Sequence, residues 1–509
     1  MSHHPAPESP TFETTKGFDA VVETLDTVTE ASEDCQADTL PPPPILSAEE
    51  ERRLWRKIDK RLIPISTLLY LVSYLDRGSI GNAKLQGLTT QLDLTGDRYN
   101  IALTMFYLFY CVCTIPSNLL LKKFRPSKWI PGLALAWGIV ATLMGLVKTY
   151  PQFIGVRICL GVAEAGFSPG IFYLLSMWYP RHMLSYRFGL FWAGGTCSGA
   201  FSGLIAYGIS FMSGTAGLLG WSWIFIVEGL LTVIAAIIAF FGMSPTTAEF
   251  LTPEERSYVI HRLKDDNSSV GEEEHFEWRH IPAAIFDWKI FSGCLIDVAI
   301  TGPIYGISLF LPSIINGFGF NPAISQLLSV PPYVIATATA VTCSHYSDVV
   351  KMRSPFIFVG LCITFLGFCI NISNASIGVK YAGLYFVVVG AYSSTPMVLS
   401  WLGNNAVGHY KRGVGLGMQV MFGNIAGIIA SNIYRVEDAP RYIRGHVAEL
   451  SMISMGLVVV PTTAFIYARR NARKDVAQRE REEKGMSVQL TEEEVKRMGE
   501  NAPGFRYTL

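Results

Sequence analysis

Apolar runs long enough to cross a lipid bilayer return throughout this chain, and no other feature narrows its possible folds so far. A span needs about 20 largely apolar residues, and about twelve stretches qualify, centred near residues 70, 108, 138, 165, 198, 231, 302, 333, 364, 390, 423 and 457. Half of the residues are hydrophobic and only 16% are charged, and the mean hydropathy is +0.32, unusual for a soluble chain of this length. The expectation is an all-α membrane protein, a helical bundle rather than one globular core.

The formal net charge is zero, so no basic surface suggests nucleic acid as a partner. Cationic residues nevertheless gather on alternate loops: Lys122, Lys123, Arg125 and Lys128, then Arg181 and Arg187, Lys351 and Arg353, Lys411 and Arg412. With the basic flanks at 52–61 and 469–474 they place both termini in the cytoplasm, although Arg435, Arg441 and Arg444 break the rule on the last outer loop. Residues 1–45 are polar, acidic and proline-rich, which reads as a disordered cytoplasmic tail without a cleavable signal. Ser47 and Glu50 have capping-box spacing ahead of a charged helix, Glu51 to Arg61, expected at the membrane surface. The nine cysteines give no metal or disulfide pattern. Asn371 and Asn374 match glycosylation acceptors close to the membrane.

A polar segment divides six spans from six, giving halves at 46–243 and 289–468, a cytoplasmic central loop at 244–288 and a cytoplasmic tail at 469–509. Thr252-Pro253-Glu254-Glu255 inside that loop has the cap, proline and acids of a helix start. The halves resemble each other at an offset of about 228 residues: Arg125 falls near Arg353, Gly195 and Gly199 match Gly423 and Gly427, and Ser168-Pro169 falls against Thr395-Pro396. An internal repeat of this size suggests two related bundles with a site at their interface.

Four charged residues lie inside the apolar runs: Asp76 and Arg77 in the first span, Arg157 and Glu164 in the fourth. A charge near a helix centre costs roughly 3 kcal/mol or more on insertion scales, so such groups point to function by default. Arg157 and Glu164 are seven positions apart, two helical turns, and project from nearly one face. A guanidinium fork suits a carboxylate, and a glutamate in a low-dielectric pocket has its charged form penalised, which suits proton uptake. An ion pair that only braces the bundle is the competing reading. Asp76 and Arg77 diverge by about 100° around their helix, so one can face a cavity while the other meets a neighbour.

The stretches Tyr74–Ala83, Pro116–Lys123, Arg157–Pro169, Trp223–Gly229, Leu251–Arg256 and Tyr434–His446 resemble the major facilitator superfamily, and within it the fungal allantoate and nicotinate permease group of the anion:cation symporter family. The resemblance covers residues from about 56 to 470. It implies twelve helices in two six-helix bundles, alternating access, and proton-coupled uptake of organic anions, in a monomer of the plasma membrane. By the same resemblance Arg77 and Arg157 are substrate-binding, while Asp76 and Glu164 carry protons. Lys122, Lys123, Arg125, Asp348, Lys351 and Arg353 fall where the superfamily pairs charges to close a cytoplasmic gate; ordinary positive-inside charge explains them as well.

By the internal offset Arg77 falls near Tyr305 and Arg157 near Leu384, so the charge chemistry belongs to the N-terminal half. Tyr107 and Tyr305 are candidate cavity aromatics. Asn424 is a candidate for substrate contact or for a helix-to-helix hydrogen bond. Glu228 is expected in a structural pair, and Asp297 is an acid outside the family pattern, as are Thr114 and Ser222 where relatives carry charge. No Walker loop, metal-ligand cluster or nucleophile motif is visible, so neither an enzyme nor a cofactor is expected. The leading expectation is a proton symporter importing a small monocarboxylate such as nicotinate, pantothenate or allantoate. An exporter or uniporter of a carboxylated metabolite and a non-transporting receptor are the alternatives.

Overall fold

The computed structural model describes residues 46–123, 126–243, 250–268, 286–406, 409–439, 441–483, 500 and 505–509. They fall into two compact units, a small one holding 46–54 and 250–262 and a large one holding the remainder. In the small unit both anticipated helix starts are formed. The Glu50 amide donates to Ser47 Oγ at 3.4 Å and the Ser47 amide to Glu50 Oε2 at 2.9 Å. Thr252 and Glu255 repeat the exchange at 3.2 and 2.9 Å, opening the helix Pro253–Ser268.

Helices stand where the spans were expected. Spans 1 to 6 are Ala48–Leu85, Arg98–Lys123, Pro126–Met144, the pair Tyr150–Glu164 and Phe167–Trp178, Arg181–Ser210, and Gly220–Gly242. Spans 7 to 12 are Trp288–Gly317, the pair Pro322–Leu328 and Val330–Val350, Ser354–Ile372, Ile377–Asn405, His409–Ile433 and Ile443–Glu483. Nine candidate spans among the described residues are long and apolar enough to cross a membrane by composition alone. Spans 1, 2 and 5 fall outside that set. Span 1 buries Ser66, Ser73, Asp76, Arg77, Ser79 and Asn82, and span 5 buries Thr196, Ser198 and Ser202; polar side chains turned inward against protein lower a helix's hydropathy without exposing them to lipid.

Two expectations need correction. The charged stretch 51–61 is no separate surface helix: it continues through Pro64 into span 1 as one helix. The last helix runs beyond 468 to Glu483, and residues 505–509 are no free tail. The Trp401 indole donates to the Thr508 carbonyl at 2.9 Å, and the Asn405 and Asn471 amides each exchange hydrogen bonds with the backbone of this segment.

The internal repeat is visible as pseudo-symmetric packing. Gly199 of span 5 lies against the Tyr333 ring of span 8, and Gly427 of span 11 against the Tyr107 ring of span 2. A Cβ would approach those rings to 2.6 and 2.8 Å, so only glycine lets these helix pairs close. Residues one repeat apart also meet where spans 1 and 7 cross: Arg77 Nη1 donates to the Tyr305 hydroxyl at 3.4 Å across a separation of 228 residues. That crossing holds the candidate site.

Candidate functional site

Span 4 is broken at Ala165 and Gly166, so Glu164 ends its first helical segment. The Thr114 hydroxyl donates to the freed Ala165 carbonyl at 3.2 Å. Here Glu164 is fully buried, and one of its oxygens accepts from Arg77 Nε at 2.8 Å and from the Ser73 hydroxyl, with Arg77 Nη2 also 2.8 Å away in the ion pair. Its other oxygen is buried with no partner. The anion-binding and proton-carrying candidates of two spans are thus locked together. Among the described residues the glutamate pairs with Arg77 and not with Arg157 of its own helix.

Aromatic rings complete the surroundings. The Arg77 guanidinium carbon lies 4.8 Å from the Tyr110 ring centre, 5.2 Å from Tyr74 and 5.6 Å from Phe106. Arg157 lies 5.8 Å from that same Phe106 ring and 5.8 Å from Phe153, so one phenyl ring faces both guanidinium groups. Arg157 is 2% exposed, and its Nε has no hydrogen-bond partner. A cation desolvated against rings gains about 2 kcal/mol per good contact, so two rings at best offset the several kcal/mol that burial of an unpaired ion costs. Such a group is chemically suited to a mobile anion.

The C-terminal half reaches this cluster through Tyr305. Its hydroxyl donates to Asn424 Oδ1 at 3.2 Å, and Asn424 Nδ2 donates to the Val420 carbonyl at 2.8 Å. Tyr107 packs edge-on against Tyr305 at 5.0 Å. Four candidates, Arg77, Tyr305, Asn424 and Tyr107, therefore form one connected set, with Asn424 acting as the helix-to-helix bond in this conformer.

Asp76 turns away to span 6, where Thr232 donates to its Oδ2 at 3.1 Å. Glu228, one turn from Thr232, is fully buried with both oxygens unpartnered. No ion pair for Glu228 is found among the described residues; Asp76 and Ser79 of span 1 are the polar groups beside it. Asp297 is buried over Gly423 of span 11, where a Cβ would stand 2.5 Å from its Oδ2, so it packs inside the C-terminal half.

Of the gate candidates, Arg125 and the side chains of Lys122 and Lys123 lie outside the described residues. Asp348 and Arg353 form an ion pair, and Arg353 also donates to Ser347 Oγ at 2.8 Å; both contacts tie the end of span 8 to the residue that opens span 9. A pair missed in the sequence is Arg187 with Asp59, a two-pronged contact at 2.7 and 3.0 Å between spans 5 and 1. Also missed was a small polar cavity between the halves, lined by Tyr74, Asn82, Ser202, Ser308, Tyr333 and Tyr392. The spacing of Ser198 and Ser202, one turn apart in an apolar helix, was its available signal. Asn371, a glycosylation candidate, is buried and spends its amide on the Gly367 carbonyl at 2.9 Å.

Comparison with known proteins follows the same lines. Residues 66–431 match the model of the Major Facilitator Superfamily. The MFS-type transporter cnsO of Penicillium expansum is 32% identical over 91% of this chain and 92% of its own. The high-affinity nicotinic acid transporter of Saccharomyces cerevisiae is 32% identical over 92% of this chain and 86% of its own. Among solved structures, a bacterial homolog of the human lysosomal transporter Spinster, inward-facing and unoccupied, superposes with a TM-score of 0.61 at 14% identity, covering 80% of this chain and 96% of its own.

Proposed function

The chain belongs to the Major Facilitator Superfamily and is a multi-pass membrane transporter, and from that premise we propose that it is a proton-coupled symporter importing a small organic anion. The observation that carries this reading is the unequal treatment of two buried guanidinium groups. Arg77 is neutralised by Glu164, while Arg157, facing the same Phe106 ring, is left without a hydrogen-bond partner at Nε. A carboxylate entering beside Arg157 completes one pair. A proton on Glu164 dissolves the other, removes repulsion toward the entering anion, and frees the Arg77 fork for bidentate contact. Loaded in this way the site moves substrate and proton without an exposed unpaired charge, which is what alternation through a low-dielectric interior requires.

Nicotinate, pantothenate and allantoate are the monocarboxylates proposed as substrates. The nicotinic acid transporter among the relatives supports the first. Plasma-membrane location, taken from the family resemblance, and cytoplasmic termini, taken from the distribution of Lys and Arg in the loops, are part of the proposal. The test is uptake of labelled organic acids by cells expressing the chain at acid external pH, with and without a protonophore. Accumulation of a monocarboxylate that collapses with protonophore supports symport; flux that ignores the protonophore and never exceeds equilibrium refutes it in favour of a facilitator.

A further inference from the structure

Another buried acid lies in the C-terminal half, outside the hydrogen-bonded set of Arg77. Glu449 of span 12 is 0% exposed, and among the described residues neither of its buried carboxyl oxygens has a hydrogen-bond partner. Span 7 is cut away to admit it. A side chain at Gly306 would collide with its Oε1, and a Cβ at Gly302 would stand 3.3 Å from Oε2, so the carboxyl group lies along two glycines one helical turn apart. Three residues earlier on the same helix His446 is 2% exposed and shares a hydrogen bond of 3.2 Å with the Tyr434 hydroxyl. No metal-type cage surrounds Glu449, since a hard cation needs six or more oxygen ligands and this carboxyl faces glycine.

The cluster sits directly behind a contact between the halves. The Tyr434 ring stacks on Phe310 at 4.9 Å, Phe310 meets Tyr99 edge-on at 6.3 Å, and Asn100 donates to the Tyr434 carbonyl at 3.5 Å. Thr104 and Ser431 join the same two spans at 3.1 Å. Separation of the halves at this end therefore removes the cover from Tyr434, and with it the barrier between Glu449 and water. A bare carboxylate in this setting lacks every compensation that buried charges require, whereas a neutral acid fits it.

We infer that Glu449 is a second proton-binding site, built into the C-terminal half, which holds its proton while the halves are closed at Tyr434 and exchanges it with water when they part. The inference rests on the proton-coupled reading for its purpose but not for its existence. Titratable and charged groups facing the cluster are Tyr434 just past span 11, Tyr442 at 6.0 Å from the Tyr434 ring, His446 on span 12, and Lys380 of span 10, whose charge acts on His446; span 7 presents Gly302 and Gly306 to the carboxyl.

Infrared difference titration of the purified full-length protein reads the acid directly. The carboxylic-acid stretching band assigned here is present in wild type and in Glu164→Gln, and absent in Glu449→Gln. Gly306→Ala, which presses a methyl group on the carboxyl, shifts that band without deleting it. Identical acid-region spectra for wild type and Glu449→Gln, with Gly306→Ala also unshifted, overturn the inference. Because the readout needs no substrate, uptake that ignores a protonophore would refute symport while leaving this result standing.

Discussion

Replacing each guanidinium by a side chain of similar length should separate the two arginines thermodynamically. Arg77→Met leaves Glu164 buried with Ser73 as its remaining donor, and breaking a buried pair by removing one partner costs about 3–5 kcal/mol. Restoring neutrality with Glu164→Gln should recover most of that loss, a coupling of a few kcal/mol in the double-mutant cycle. Arg157→Met loses contacts with Phe106 and Phe153, together about 2–4 kcal/mol at most. It also removes a desolvated cation with no carboxylate pair, a gain of similar size. Its net change is therefore near zero, and it should abolish transport all the same. The assay is the thermal midpoint of the detergent-purified variants beside substrate uptake in cells. An Arg157→Met variant that melts as early as Arg77→Met would show that Arg157 braces the bundle, and the anion-binding assignment would fall.

Tyr305→Phe removes both hydrogen bonds through which its hydroxyl connects Arg77 to Asn424, and Asn424→Ala removes the second of them. At about 0.5–1.5 kcal/mol per net hydrogen bond, each should raise KM about two- to tenfold, measured by concentration-dependent uptake. Gly427→Ala and Gly199→Ala force a methyl group onto Tyr107 and Tyr333, and overpacking of this kind costs about 1–3 kcal/mol, read as a lower thermal midpoint for both. Should the chain carry a glycan, Asn374→Gln will remove it and Asn371→Gln will not, because Asn371 is buried and hydrogen-bonded; gel mobility after expression decides this.

The span pattern was legible because bilayer thickness fixes helix length, and the four charged candidates stood out because apolar flanks make any ion conspicuous. Arg77 and Tyr305, equivalent positions of the repeat, also touch in the structure, a contact the alignment by itself did not foretell. Partner choice was not legible. Helical spacing put Arg157 and Glu164 on one face, yet the break at Ala165 and Gly166 and the approach of span 1 gave Glu164 to Arg77. Which of two equally plausible cations wins depends on helix crossing, and sequence spacing describes only one helix at a time. Glu228 is a similar case: among the described residues it has no ion pair, because span 6 faces Asp76 and Ser79 of span 1. Glu449 was also missed, although an acid at the start of an apolar run is a signal visible in the sequence. The return of residues 505–509 onto Asn405 and Asn471 had no signal, since it depends on two asparagines that meet only in the folded bundle.

Glu164→Gln offers the most direct measurement of whether that carboxylate couples proton to anion. Uptake driven by an inward proton gradient and exchange of labelled for unlabelled substrate at equal pH are followed in the same proteoliposomes. Loss of gradient-driven accumulation with exchange retained is the expected outcome, since a permanently neutral residue still frees Arg77 but carries no proton. Accumulation that persists in Glu164→Gln at the wild-type level would contradict it and remove Glu164 from the coupling step.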